Sequence, residues 1–143
     1  MKIFTIGFTK KNAEKFFSLL SNPEIKRLID IRLNNVSQLA GFTKRDDLKY
    51  FLKKICNIEY IHMPELAPND GVLKDYQQNK DWPLYEKRFL SLLDNRNVAT
   101  KIQKNLFDGA CLLCSEPEPR QCHRRLVAEY LSQRWGNVEI KHI

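Results

Sequence analysis

The 143 residues carry 24 Lys and Arg against 17 Asp and Glu, a formal charge of +7, with 43% hydrophobic and 29% charged side chains and only five Gly and six Pro. This composition excludes a disordered or low-complexity chain, and a single domain over residues 1–143 is long enough to bury roughly two-thirds of the surface its unfolded form exposes. The longest apolar runs are about five residues, far below the ~18 that span a bilayer, and Met1-Lys2-Ile3-Phe4 leads into a strand instead of an export signal, so the expectation is a cytoplasmic protein with no membrane partner.

Taken in chain order, the first element is Lys2–Ile6, KIFTI, a β-branched and aromatic strand that Gly7 breaks. Thr9 is placed to cap a helix in which Phe16, Phe17, Leu19 and Leu20 recur at helical spacing. Arg27–Arg32, RLIDIR, is the second strand; after a polar loop, Thr43 and Asp46 have capping-box spacing ahead of Leu48, Phe51, Leu52 and Ile55. The third strand is 58–63, IEYIHM, and the Pro-, Asn- and Gln-rich stretch from Pro64 to Lys80 is expected to be a long loop. A helix opens near Asp81 with Pro83 in its first turn, burying Leu84, Tyr85, Phe89, Leu92 and Leu93, and a shorter one covers 97–106. Gly109–Ser115 is an apolar strand, Gln121–Arg134 a helix with one wide apolar face, and VEIKH the fifth strand. Strands alternating with helices predict an α/β fold, a three-layer α/β/α sandwich around a mainly parallel sheet of about five strands.

The charge is uneven. Residues 1–60 hold twelve Lys and Arg against six Asp and Glu, whereas residues 61–143 hold twelve against eleven. An excess of this kind draws in a nucleic acid or a phosphorylated small molecule, although lysines scattered for solubility give the same count. The four cysteines are read as thiols, since nothing in the sequence directs export to an oxidising compartment.

In parallel α/β sheets, ligands bind outside the carboxyl ends of the strands. Those ends carry Gly7 and Thr9, Asp30 and Arg32, His62 and Glu65, and Cys114 and Glu116, with Cys122, His123 and Arg124 opening the following helix. A helix start favours anions and lowers the pKa of a nearby thiol. Several chemistries compete for the segment CLLCSEPEPRQCHRR. Cys111 is expected in the core, because residues three apart in a strand face opposite ways and Cys111-Leu-Leu-Cys114 therefore cannot act as a metal clip. Cys114, Cys122 and His123 could hold a metal; Cys114 and Cys122 could be a redox pair; Cys114 to Arg120 has the C-x5-R spacing of anion-wrapping thiolate loops, but its Pro and Glu residues oppose an anion. Asp30 and Arg32 lie on one face of their strand and suit a buried ion pair. For Glu116 the simplest role is a carboxylate paired with Arg32 or Arg124, and for Arg125 and Glu129 a surface pair.

FTIGFT, LIDIR, GFTKRDDL, YIHMPEL, LLCSEPEPRQCHRRLVA and VEIKHI together resemble the DUF488 family, a domain of unknown function. The resemblance covers nearly the whole chain, and its most specific parts are the run Cys114-x-Glu116…Cys122-His123-Arg124 and the element Asp30-x-Arg32. It implies a compact α/β/α fold and no established activity. Phe8 and Thr9 depart from the usual His and Ser of the family, Val36 from a Pro and Ala67 from a Gly.

These readings converge on a polar pocket at the strand ends that binds or processes an anionic ligand, with a nucleotide or nucleic-acid component as the expected class. In an enzyme, Cys114 or Cys122 would be the nucleophile, His123 or Glu116 the proton-transfer group, and Arg32 and Arg124 the anion clamps, with Asp30, Thr9, His62 and Glu65 around them. The rival is a non-enzymatic nucleic-acid or protein-binding module that uses the basic first 60 residues. No motif implies a cofactor, and none fixes the oligomeric state.

Overall fold

The computed structural model describes residues 1–36, 41–116 and 119–143. The five strands are β1 (Lys2–Gly7), β2 (Arg27–Asp30), β3 (Glu59–His62), β4 (Ala110–Cys114) and β5 (Glu139–His142). They form one sheet in the order β3-β2-β4-β1-β5, and every neighbouring pair is parallel. Because side chains alternate along a strand, each strand feeds two cores. Ile3, Ile29, Ala110 and Leu112 face one core; Phe4, Ile6, Leu28, Cys111 and Leu113 face the other.

The first core is covered by α3 (Asp70–Asn79), α4 (Trp82–Asn95), α5 (Val98–Lys101) and α6 (His123–Trp135), through Val72, Phe89, Val98 and Leu126 among others. The second is covered by α1 (Ala13–Leu20), α2 (Arg45–Phe51) and a π-helical turn, Leu52–Cys56, through Phe16, Leu48 and Leu52. The expected α/β sandwich is therefore the fold. Chain leaving β1 and β2 passes to α1 and α2 on one face, while chain leaving β4 passes to α6 on the other. Adjacent strands whose connections diverge in this way open a crevice at their carboxyl ends, beside β4.

Three local expectations are corrected. The presumed loop 64–80 contains α3, started by Asn69, whose side chain accepts from Val72 N at 2.8 Å. Its polar composition masked a short helix that gives Val72 and Tyr76 to the first core and pairs Asp75 with Arg88 of α4. Asn12, not Thr9, caps α1, accepting from Lys15 N at 2.8 Å. Thr43 does not cap α2; it is buried in a 3₁₀ turn, and its carbonyl is claimed by Arg32. No helix among the described residues is long and apolar enough to cross a membrane.

The sheet comes closest to the chain around it at Gly7, which lies opposite Cys114 in register. A Cβ on Gly7 would overlap the carbonyl oxygen of Glu116 and crowd the guanidinium of Arg124. Backbone oxygen cannot swing aside as a flexible side chain can, so the position admits no larger residue without moving the corner. Gly7→Ala is expected to destabilise the fold by about 3 kcal/mol or more. The check is its urea midpoint against that of the parent chain, and an unchanged midpoint would show that the corner yields.

Candidate active site at the carboxyl ends of the strands

β4 delivers Cys114 to the rim, and α6 begins immediately beside it, with Cys122 as its N-cap residue and His123 in its first turn. The Sγ atoms of Cys114 and Cys122 are 2.6 Å apart, and His123 Nδ1 is 3.1 Å from Cys114 Sγ. All three side chains are at most 9% exposed. The ring is fixed from its far side, because Nε2 lies 2.7 Å from the carbonyl oxygen of Ile31. That oxygen can only accept, so Nε2 carries a proton. Nδ1 is then free to accept from the Cys114 thiol or, when also protonated, to donate to its thiolate.

Two sulfurs this close cannot both ionise easily, and their surroundings divide the roles. Burial pushes the Cys114 thiol up, but the Cys122 thiol, the backbone N–H groups of Ser115 and Glu116, and the Arg124 guanidinium outweigh it, and its pKa falls below the ordinary value. Cys122 is driven well up, by burial first and then by its neighbour Cys114. Of the two sulfurs, Cys114 is the one that ionises more readily, with the Cys122 thiol as its donor. Cys111 sits on the opposite face of β4 in the second core, where burial raises its thiol far out of the working range.

A cavity of about 260 Å³ opens over these sulfurs. Cys114, Ser115, Glu116, Cys122 and His123 line one side, Arg32, Leu33 and Asn34 another, and Tyr76, Trp82 and Tyr85 from α3 and α4 the third. The three aromatic rings form a continuous wall, with Trp82 and Tyr85 stacked at 5.1 Å and Tyr76 within 5.7 Å of both. Phe89 continues it to His123, edge to face at 5.6 Å.

Of the residues singled out in the sequence, Arg32, Cys114, Glu116, Cys122 and His123 meet at this cavity. Arg32 is held by Asp30, which accepts from its Nε at 2.9 Å and its Nη2 at 2.8 Å; Nη2 also donates to the Thr43 carbonyl at 2.7 Å. The expected buried ion pair therefore forms, and Asp30, fully buried, also accepts from Tyr60 Oη at 2.6 Å. Asp30 thus lies behind Arg32 and away from the cavity. His62 also acts from behind, donating from Nε2 to the Arg32 carbonyl at 3.0 Å. Thr9 reaches the site only through its backbone, N to Ser115 O at 3.0 Å. Glu65 is exposed on a separate turn, where its carbonyl accepts from Arg96 at 2.9 Å.

Arg124 differs most from its expected role. It is fully buried, donating to Thr5 Oγ1 at 3.3 Å and to the carbonyl oxygen of Glu116. Its contact with Glu116 thus runs through the backbone, while the Glu116 side chain is exposed. Behind Arg124, Thr5 Oγ1 lies 2.5 Å from His142 Nδ1. With Arg124 donating to Thr5, the hydroxyl proton goes to His142, whose ring burial and then Arg124 keep neutral by lowering its pKa. Arg125 and Glu129 pair at 3.4 Å, as their spacing on the helix predicts.

Sequence reasoning missed the aromatic wall, Tyr60 and the Thr5–His142 link. The wall had a signal: Tyr76, Trp82 and Tyr85 are three aromatics within ten residues of an otherwise polar stretch. The contacts of Thr5 and Tyr60 leave no such trace, because they join residues distant in sequence.

Fold and site together define a parallel α/β sandwich with a paired-thiol and imidazole centre at the carboxyl rim of its sheet. A family profile described as "Domain of unknown function DUF488" matches residues 12–131, and the chain belongs to that family. Comparison with curated proteins and with solved structures gives no significant match.

The division of roles between the sulfurs is measurable. Thiolate absorbance at 240 nm in a Cys56→Ser chain should show one group ionising below the ordinary thiol value of ~8.5. Cys122→Ala, which removes a donor to the Cys114 sulfur, should move that transition upward. The same transition in both proteins would contradict the assignment.

Proposed function

We propose that this domain binds an anionic ligand that carries a flat ring, of the nucleotide or nucleic-acid-component class, and processes it with Cys114 as the nucleophile. The observation that carries the reading is a sulfur of lowered pKa set in the floor of a cavity. It is met by the Cys122 thiol and the Ser115 and Glu116 N–H groups as donors, with His123 Nδ1 3.1 Å away. Perturbed groups that converge on a cavity are candidates for chemistry. The aromatic wall supports a planar ligand, because a ring stacks on such a surface with little loss of conformational freedom.

In this reading the Cys114 thiolate attacks an electrophilic centre of the ligand, forming an S–ligand bond as the leaving group departs with the bonding electron pair. Cys122 or His123, both beside the reacting sulfur, gives the departing atom its proton. Arg32, locked by Asp30 and His62, is the positioning cation. A free thiol pair suits a reducing compartment, which supports a cytoplasmic setting for this reading.

Labelling with iodoacetamide tests this reading. Cys56 is the most exposed cysteine, but burial raises its thiol, so exposure and ionisation favour different residues. Mass-mapped labelling at neutral pH should mark Cys114 first, and preference for Cys56 would remove the basis for a nucleophile.

A second reading has its own observation. The donor atoms of Cys114, Cys122 and His123 all lie within 4.8 Å of one another, a set suited to a thiolate-binding ion such as Zn²⁺ with a fourth position open to the cavity. His123 also has the outer hydrogen bond, to Ile31 O, that metal-binding imidazoles use. On this reading, protein purified without chelator carries one zinc per chain, and stripping it exposes two further titratable thiols; metal-free protein with all thiols reactive favours the nucleophile.

A further inference from the structure

A ligand anion needs a cation that is not already committed, and the thiol cavity offers little. Arg32 is paired in two hydrogen bonds with Asp30, and Arg124 is fully buried, donating to Thr5 and the Glu116 carbonyl. Beside that cavity, sharing Trp82 and Gln121 with it, lies a second one of about 350 Å³ whose other walls are Arg120 and Arg125. Arg120 is exposed, and Arg125 stands in the first turn of α6, where the helix dipole adds positive potential.

Arg125 is also incompletely used. Its Nη1 meets Glu129 at 3.4 Å, but its Nε is buried and has no hydrogen-bond partner among the described residues. A buried donor of this kind is uncommon and is costly until satisfied. The Glu129 pair is partly solvated, so a doubly charged ligand group competes with it at small cost.

Resting on the proposed function of the adjoining cavity, we infer that Arg120 and Arg125 form a phosphate subsite, and that the ligand is a nucleoside monophosphate. The base lies against Tyr76, Trp82 and Tyr85 over the thiols, and the phosphate reaches past Trp82 to the two guanidinium groups. Arginine suits this task because its planar fork matches phosphate oxygens two at a time. Alone, the thiol cavity falls below and its neighbour just inside the ~300–1,000 Å³ typical of small-molecule sites, and their shared wall lets one ligand occupy both. A free nucleotide and the 5′-phosphorylated end of a strand present the same chemistry.

The test uses Cys114→Ser protein, so that binding is measured without any thiol reaction and stands or falls apart from the nucleophile assignment. Trp82 fluorescence reports on the site; Trp135 packs on Phe107 at 5.4 Å and serves as the internal reference. At least one of the four ribonucleoside 5′-monophosphates should quench Trp82 and bind about tenfold or more tightly than its nucleoside. The double change Arg120→Gln and Arg125→Gln should erase that advantage while leaving nucleoside binding in place. Arg125→Lys, which keeps the charge and removes Nε, is the milder variant should the double one not fold, and should lose part of it. Tighter binding of a 5′-phosphorylated trinucleotide than of the free monophosphate would identify a strand end as the source, and the reverse a free nucleotide. The inference is overturned if no monophosphate binds, if nucleoside and monophosphate bind equally, or if a folded arginine variant keeps the full preference.

Discussion

A buried guanidinium has to find hydrogen-bond acceptors, and among the described residues Arg124 finds them in well-separated parts of the chain. It donates to Thr5 in the middle of β1, to the Glu116 carbonyl beyond β4, and more weakly to Cys122 at the start of its own helix, with Nη1 3.8 Å from the sulfur. Removing one acceptor of such an arrangement leaves a buried charged donor unsatisfied, at a cost of about 1–3 kcal/mol or more. The corner therefore holds together as a unit or not at all. Gly7 permits it, because only a residue without a side chain lets the Glu116 carbonyl come that close to β1.

The same corner sets the chemistry of the sulfurs. Once the loop is pulled down by Arg124, the Ser115 and Glu116 N–H groups turn toward Cys114, and the positive guanidinium lies close enough to favour its thiolate. Cys122, the N-cap of α6, is left with burial and the neighbouring Cys114 sulfur, which act the opposite way. A pair of chemically identical side chains is thus made unequal by its backbone and by one cation. His123 completes the arrangement only because β2 presents the Ile31 carbonyl to its other nitrogen.

Support for the site comes from behind as well. Tyr60 and Asp30 hold Arg32 by its head, and His62 holds it by its carbonyl, so the cation at the cavity edge has little freedom left. Asp30 and His62 were expected at the pocket, but both act one step behind it. This is a frequent division of labour in preorganised sites, where rigid second contacts fix the groups that face the ligand. The aromatic wall comes from α4, expected as a helix with a buried face, and from α3, whose polar sequence reads as a loop.

The hydrophobic period of two in the strands and near four in the last helix is a local property, and it was enough to yield about five strands in a mainly parallel sheet, most of the helices between them and the core position of Cys111, but not α3, whose face is too polar to show a period. The Asp30–Arg32 pair and the placing of Cys114, Cys122 and His123 on one rim also followed, because their partners lie within a few residues or at equivalent strand ends. Residues whose roles depend on distant contacts could not be read in this way. Nothing near Arg124 in sequence distinguishes it from Arg125, yet one is the buried centre of the corner and the other faces a cavity. That choice is made by Thr5, more than a hundred residues earlier, and by strand order, which no local pattern encodes. Residue pattern is thus enough for the strongly periodic elements and for the chemical inventory of the rim, whereas which charges are buried follows from the folded chain, because burial depends on what distant segments bring to a given place.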